Sequence, residues 1–191
     1  MKQVERLEAI LRHNWWLEHI LDRFDDVGLP DCWLVAGALA QTVWNVCCSK
    51  DPAADIKDID LIYFDAGDLS EAARVQAEKH VCALFAGIPA ALDVQNEARI
   101  HLWYEEQFGY PIPPYTSSTD AIATFPTTAT SIGVRRHSGC FDCFAPFGLE
   151  DLLNGVVRPN KRQITRAIYE AKLARWRARW PTLTYVAWDD A

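Results

Sequence analysis

No run of apolar residues approaches the ~20 needed to cross a bilayer, so a membrane-spanning helix is excluded. The first residues, MKQVERLEAILRHNWW, lack the uninterrupted apolar stretch of a signal peptide, and a cytoplasmic location is expected. Six cysteines (Cys32, Cys47, Cys48, Cys82, Cys140 and Cys143) lack disulfide-scaffold spacing, so they read as small buried hydrophobes of a reducing compartment. His137, Cys140 and Cys143 of HSGCFDC lack a fourth ligand at zinc-site spacing; a local hairpin with the cysteines as filler is the better reading. No internal repeat or low-complexity tract is present. Positive charge is also short, with 19 Lys and Arg against 26 Asp and Glu, a net charge of -7. Affinity for a polyanion rests on cations meeting phosphates, so this balance argues against a broad nucleic-acid surface.

What is present is ordinary globular material: 191 residues, 50% hydrophobic, with eight Trp, eight Phe and six Tyr. A chain this long buries roughly 70% of its unfolded surface without disulfides. Charge divides it in two. Residues 1–157 hold 11 Lys and Arg against 23 Asp and Glu, whereas 158–188 hold eight against one. The expected organisation is an acidic core over 1–157 with a basic helix and tail, 158–191, packed on it. That basic stretch either offsets the acidic body as a solvated helix face or grips a few phosphates.

Periodicity predicts a helix over 3–24, a strand over 32–36, a helix over 38–48 and a strand over 60–64. Asp68 with Glu71 resembles a capping box before a helix to Phe85. A strand over 90–94 runs on into QNEARIHLWY, and the Pro-rich 109–119 is a loop. Asp120 is expected to cap a short helix. Strands 129–135 and 140–145 flank Ser138-Gly139 as a hairpin, and a short helix over FGLEDLLNG ends at Gly155. The final helix spans 161–180, with LTYVAW as an edge strand. Strands this close in sequence pair antiparallel, giving an α+β class.

Three features carry chemistry. Gly37-Ala38 lies between a buried strand and a helix, where a tight glycine turn exposes helix N-terminal N–H groups to an anion. Asp58 and Asp60, at i and i+2 entering a strand, point to one face. Adjacent carboxylates repel unless a cation or proton lies between them, and hard oxygen ligands favour Mg²⁺ or Mn²⁺. The bland reading is two water-exposed loop-end carboxylates. Asp93 sits within an apolar strand, where an unpaired charge is costly. It joins a metal cluster if its strand neighbours 60–64; otherwise a partner such as Arg99 would explain it. Asn96, Arg99, His101 and Trp103 nearly alternate after Asp93: Arg99 offers a bidentate phosphate contact and His101 a proton carrier, or the run is a structural strand edge. Trp44 is either a stacking platform for a base or core. Trp176 and Trp180 read as packing residues, and Arg158 and Asn160 as turn caps.

A glycine turn before a helix, DxD on the next strand and a lone Asp on a later one resemble the polymerase-β-type nucleotidyltransferase superfamily. AGALAQTVWN (36–45), DIDLIYFD (58–65), DVQNEARIHLW (93–103), FPTTATSIGVR (125–135), APFGLEDLLNGVVRPN (145–160) and WRARWP (176–181) resemble, in order, a bacterial nucleotidyltransferase-like family once catalogued as a domain of unknown function. The resemblance implies a mixed sheet with flanking helices and a helical C-terminal portion. It implies metal-dependent transfer of a nucleotidyl group from an NTP donor, with two Mg²⁺ or Mn²⁺ accompanying the nucleotide. Asp58, Asp60 and Asp93 would be the catalytic and metal-binding residues, with Asp93 also deprotonating or orienting the acceptor hydroxyl. Gly37 and Ala38 would meet the β/γ-phosphates, with Trp44, Arg99 and His101 completing the nucleotide site. Many superfamily members carry Ser after the glycine; Ala38 here supplies no hydroxyl. The acceptor is expected to be a small molecule or a protein hydroxyl, with nucleic acid such as a tRNA end less favoured and no membrane partner. The competing expectation is a catalytically weak or inactive nucleotide- or partner-binding module on the same fold.

Overall fold

The computed structural model describes residues 2–191. The opening segment, expected as one helix, divides into α1 (Lys2–Leu11) and α2 (Trp15–Asp22). Asn14 makes the break: its side chain accepts from Trp16 N–H at 3.1 Å and donates to Thr42 Oγ1 at 2.9 Å, so it caps a new helix. β1 (Trp33–Val35) leads into α3 (Gly37–Cys47), and β2 (Asp58–Tyr63) follows the polar loop. α4 (Glu71–Leu84) is capped by Ser70, whose hydroxyl accepts from Ala73 N–H, rather than by Asp68, which accepts from Ser70 N–H. β3 (Ala91–Asn96) does not continue as strand. The Asn96 side chain accepts from Ala98 N–H and turns the chain into a 3-10 segment, Glu97–Leu102, ahead of α5 (Tyr104–Phe108).

α6 (Ser118–Ile122) is capped by Ser117, while Asp120 folds back onto Thr116 N–H. β4 (Gly133–His137) and β5 (Cys140–Phe144) form the expected hairpin, and α7 (Glu150–Leu153) ends ahead of Gly155 at φ +67°. Cys140 and Cys143 fall on opposite faces of β5, three residues apart, and His137 Nδ1 lies 2.6 Å from Asp25 Oδ1; the three side chains do not converge. β6 (Val156–Val157) precedes α8 (Arg166–Arg179), which starts later than expected because Asn160 is held by the carbonyls of Ala123 and Phe125 and Thr165 supplies the cap. β7 (Thr184–Tyr185) pairs with β6.

The main sheet has the order β3-β2-β1-β4-β5. β2 and β3 run parallel, with α4 as the crossover that parallel pairing demands, and the other pairs are antiparallel. The architecture is thus α+β with a mixed sheet and flanking helices. Side chains alternate across the sheet. Leu34, Ile59, Leu61, Val94 and Val134 enter the main core beneath the helices, whereas Trp33, Val35 and Ile62 face the other way onto Ile122, Phe125 and Phe144. Among the described residues, no helix is long and apolar enough to cross a membrane.

The basic C-terminal stretch is joined to the acidic part through buried aromatic packing. Trp180 and Tyr169 are fully buried, and the Trp180 ring centroid lies 5.5 Å from that of Trp44. Trp180 Nε1 donates to Asn45 Oδ1 at 2.8 Å.

Candidate active site

Strand register brings the acidic residues together. Parallel pairing sets Asp60 directly beside Asp93, and Asp58 lies on the same face one pleat earlier. On the antiparallel side Asp60 is beside Val35, the residue before the Ala36-Gly37 turn. The DxD strand, the lone-Asp strand and the N-terminus of α3 therefore meet at one point.

Asp60 is the most constrained of the three. Its carboxyl is pushed up to about 7, first by burial and then by the negative charges of Asp58 and Asp93. Lys172 and the Gly37 N–H pull in the opposite direction without restoring an ordinary value. Asp93 has one oxygen occupied, by Gln95 Nε2 at 2.6 Å. No three acidic, His or Cys side chains among the described residues stand close enough to enclose an ion. The donor set nevertheless suits a hard divalent cation, because three oxygen-donor side chains share one face and no cation balances all of them. It does not suit a soft one, since no thiol or imidazole lines the cleft.

The turn before α3 is strained. Ala36 has φ +58° and ψ -119°, a region that suits glycine, and it caps the helix with no side-chain acceptor. Ala36 therefore offers the first N–H groups of α3 no side-chain cap, and the Gly37 N–H acts on the Asp60 carboxyl instead. A Cβ on Gly37 would meet Gln41 Nε2 at 3.2 Å and Asp60 Oδ2 at 3.9 Å. Relieving the strain tests this account. Ala36→Gly is expected to stabilise by about 1 kcal/mol, because released strain of ~1–3 kcal/mol exceeds the added chain entropy. A thermal melt would rise by about 2–4 °C, and an unchanged or lower Tm would contradict it.

Asp60 lies at the junction of a two-armed cleft. One arm, of about 370 Å³, is lined by Gly37, Lys57, Asp58, Lys172, Arg175 and Arg179. The other, of about 480 Å³, also reaches Lys172 and Arg175 but is mainly aromatic, with Trp103, Tyr104, Phe108, Tyr115 and Phe125. α8 supplies three of these cations. Its residues Tyr169, Leu173, Trp176 and Trp180 are buried in the core. Ile168, Lys172, Arg175 and Arg179, each one position earlier, form the adjoining stripe along the cleft. Burial, followed by the nearby Arg175, lowers the pKa of Lys172, while Asp60 and Asp58 act to raise it.

Three of the expected nucleotide-site residues are placed elsewhere by burial and partners. Trp44 is fully buried, with its ring 5.2 Å from that of Trp176, and belongs to the core. Arg99 does not pair with Asp93: Nη1 meets Glu71 Oε2 at 2.8 Å and Nε donates to the Leu69 carbonyl at 2.7 Å, a brace for the start of α4. His101 lines neither arm of the cleft, and its Nδ1 is buried without a partner. Ala38 follows Gly37 in α3, but its side chain is fully buried, so only its backbone faces the turn. Sequence reasoning missed Lys57, Lys172, Arg175 and Glu97. The basic stripe at 172, 175 and 179 carried a usable sign, since it runs beside an aromatic stripe with the same spacing. Glu97 carried none.

The nucleotidyltransferase family profile matches residues 22–185. The chain belongs to this family. Among solved structures, one described as an NMR structure that "reveals a CCA-adding enzyme head domain" superposes with a TM-score of 0.77 at 30% identity, covering 95% of this chain and 94% of that one. No curated protein matches. Family membership carries generic nucleotidyl transfer, and the nucleotidyltransferase fold places β2, β3 and the start of α3 around one cleft.

Proposed function

We propose that the protein is a Mg²⁺- or Mn²⁺-dependent transferase that moves an NMP group from an NTP to a hydroxyl on a small molecule or a protein. The observation that carries this reading is Asp60 beside Asp93 at one register position, beneath the N-terminus of α3 and within reach of Lys172. Asp58, Asp60 and Asp93 would hold the metal ions, which when bound neutralise phosphate charge in the transfer.

The chain's own groups take the remaining roles. Backbone N–H groups of the Gly37 turn and the cations of Lys57, Lys172, Arg175 and Arg179 receive the β- and γ-phosphates. Asp93 accepts the acceptor's hydroxyl proton. The hydroxyl oxygen bonds to the α-phosphorus while the bridging bond between the α- and β-phosphates breaks, and pyrophosphate leaves. The low net basicity of the chain disfavours a long nucleic-acid acceptor. The solved CCA-adding head domain keeps a tRNA end as the nucleic-acid outcome to include in an acceptor screen.

Calorimetric titration of ATP, GTP, CTP and UTP with Mg²⁺ or Mn²⁺ tests the donor site. Lys172→Met is expected to weaken metal-dependent NTP binding about tenfold, as loss of a charge-assisted contact of about 1.5 kcal/mol would. Binding of no NTP by the folded wild type would overturn the transferase reading. A catalytically inactive nucleotide-binding module is favoured by one observation, the absence of any hydroxyl at Ala38; it predicts NTP binding without pyrophosphate release.

A further inference from the structure

Glu97 begins the 3-10 segment after β3 and is 5% exposed. Its carboxylate makes no hydrogen bond and no ion pair with any described residue. The guanidinium nearest in sequence, Arg99, is taken by Glu71 and Leu69. Glu97 lines the aromatic arm of the cleft together with Trp103, Tyr104, Phe108 and Tyr115. The charges acting on it are those of Asp60 and Asp93, and burial with this repulsion pushes its carboxyl up to about 8. Ionising a buried carboxyl that has no side-chain donor is costly, and no side chain of the fold offsets that cost.

The surroundings specify what would. The π-faces of Trp and Tyr attract cations, and a carboxylate among them completes an ammonium site. An arriving ammonium group favours the ionised carboxyl and offsets its charge beside Asp60 and Asp93, which a neutral base edge does not. We propose that Glu97 and these four aromatic residues form a subsite for the ammonium group of an amino-alcohol acceptor, whose hydroxyl then lies toward Asp93. The inference rests on the transferase reading for the role of that hydroxyl; the cation site itself stands on Glu97 and the aromatic wall.

The test uses choline, ethanolamine and 3,3-dimethylbutan-1-ol, the uncharged isostere of choline, titrated calorimetrically into the full chain at pH 8.5. Wild type is expected to bind choline or ethanolamine at least tenfold more tightly than the isostere. Glu97→Gln should reduce that preference to within about twofold while keeping Mg²⁺-dependent ATP binding and melting no lower than wild type. Trp103→Leu should lower choline affinity several-fold without changing the isostere, which keeps the test intact if Glu97→Gln fails to fold. Asp58→Asn should retain the ammonium preference even though it loses Mg²⁺-dependent ATP binding, so failure of the donor site is distinguishable from failure of this one. Lack of discrimination by wild type, binding of neither amine, or a preference that survives Glu97→Gln would overturn the proposal. Loss of Mg²⁺-dependent ATP binding in Glu97→Gln would instead group this residue with the metal-site carboxylates and also overturn it.

Discussion

Asp60→Asn is expected to abolish Mg²⁺-dependent NTP binding, by at least about a hundredfold, while making the metal-free protein more stable above pH 7. Both effects have one source. Asp60 is mostly buried beside Asp58 and Asp93, and its carboxyl holds a proton up to about 7 in the folded state against an ordinary value of 3.8. In the unfolded chain the carboxyl ionises near the ordinary value, so between pH 4 and 7 the unfolded state releases the proton first. Rising pH therefore favours unfolding across this window, and the penalty is complete above 7. A shift of about three units corresponds to up to about 4 kcal/mol at 1.36 kcal/mol per unit. Asn carries no such charge. Thermal melts in EDTA from pH 4 to 8.5 would show the wild type losing stability with pH while Asp60→Asn stays flatter, with a Tm about 5 °C or more above wild type at pH 8. Added Mg²⁺ should reverse the order, since an ion stabilises only the chain that binds it. Equal pH dependence in the two proteins would remove Asp60 from the electrostatic centre of the site.

Trp180→Ala is expected to cost about 3–5 kcal/mol in urea denaturation, and to weaken NTP binding although Trp180 touches no candidate ligand site. The indole is fully buried, packs on Trp44 and donates to Asn45 Oδ1. Asn45 in turn donates to the carbonyls of Pro52 and Ala54, in the loop that leads into Asp58. Truncation leaves a cavity and an unpaired Asn45 oxygen, and it frees the end of the helix that carries Lys172 and Arg175. Trp180→Phe fills most of the volume without the hydrogen bond, and should cost about 1–2 kcal/mol. A loss below about 1 kcal/mol for the alanine variant would mean that the basic stretch is not anchored through this residue.

The sequence carried the paired strand carboxylates and the glycine turn because each is a local statement. An i, i+2 spacing on a strand sets two side chains on one face whatever the strand packs against, and a glycine between strand and helix marks its own turn. The element boundaries that moved did so through side-chain capping. Asn14 ends a helix that hydrophobic periodicity alone would continue, Asn96 converts an expected strand into a 3-10 turn, and Ser70 and Ser117 replace Asp68 and Asp120 as caps. In each case one hydrogen bond to a backbone N–H decided between conformations that the apolar pattern left equivalent.

By itself, then, the sequence determined the α+β class, the hairpin at Ser138-Gly139, and the placing of Asp58 and Asp60 on one strand face and of Gly37 at the turn before a helix, together with the family resemblance. Tertiary structure alone decided the rest. Asp93 stands beside Asp60 because a parallel register spans the whole of α4. Lys172 and Arg175 reach the cleft because an aromatic stripe one residue away is buried against Trp44. Trp44, Arg99 and His101 are turned away from it, and Glu97 is left in the aromatic arm with no partner. The reason is physical: spacing within one element follows from backbone geometry, whereas which elements meet follows from the burial of side chains far apart in the chain.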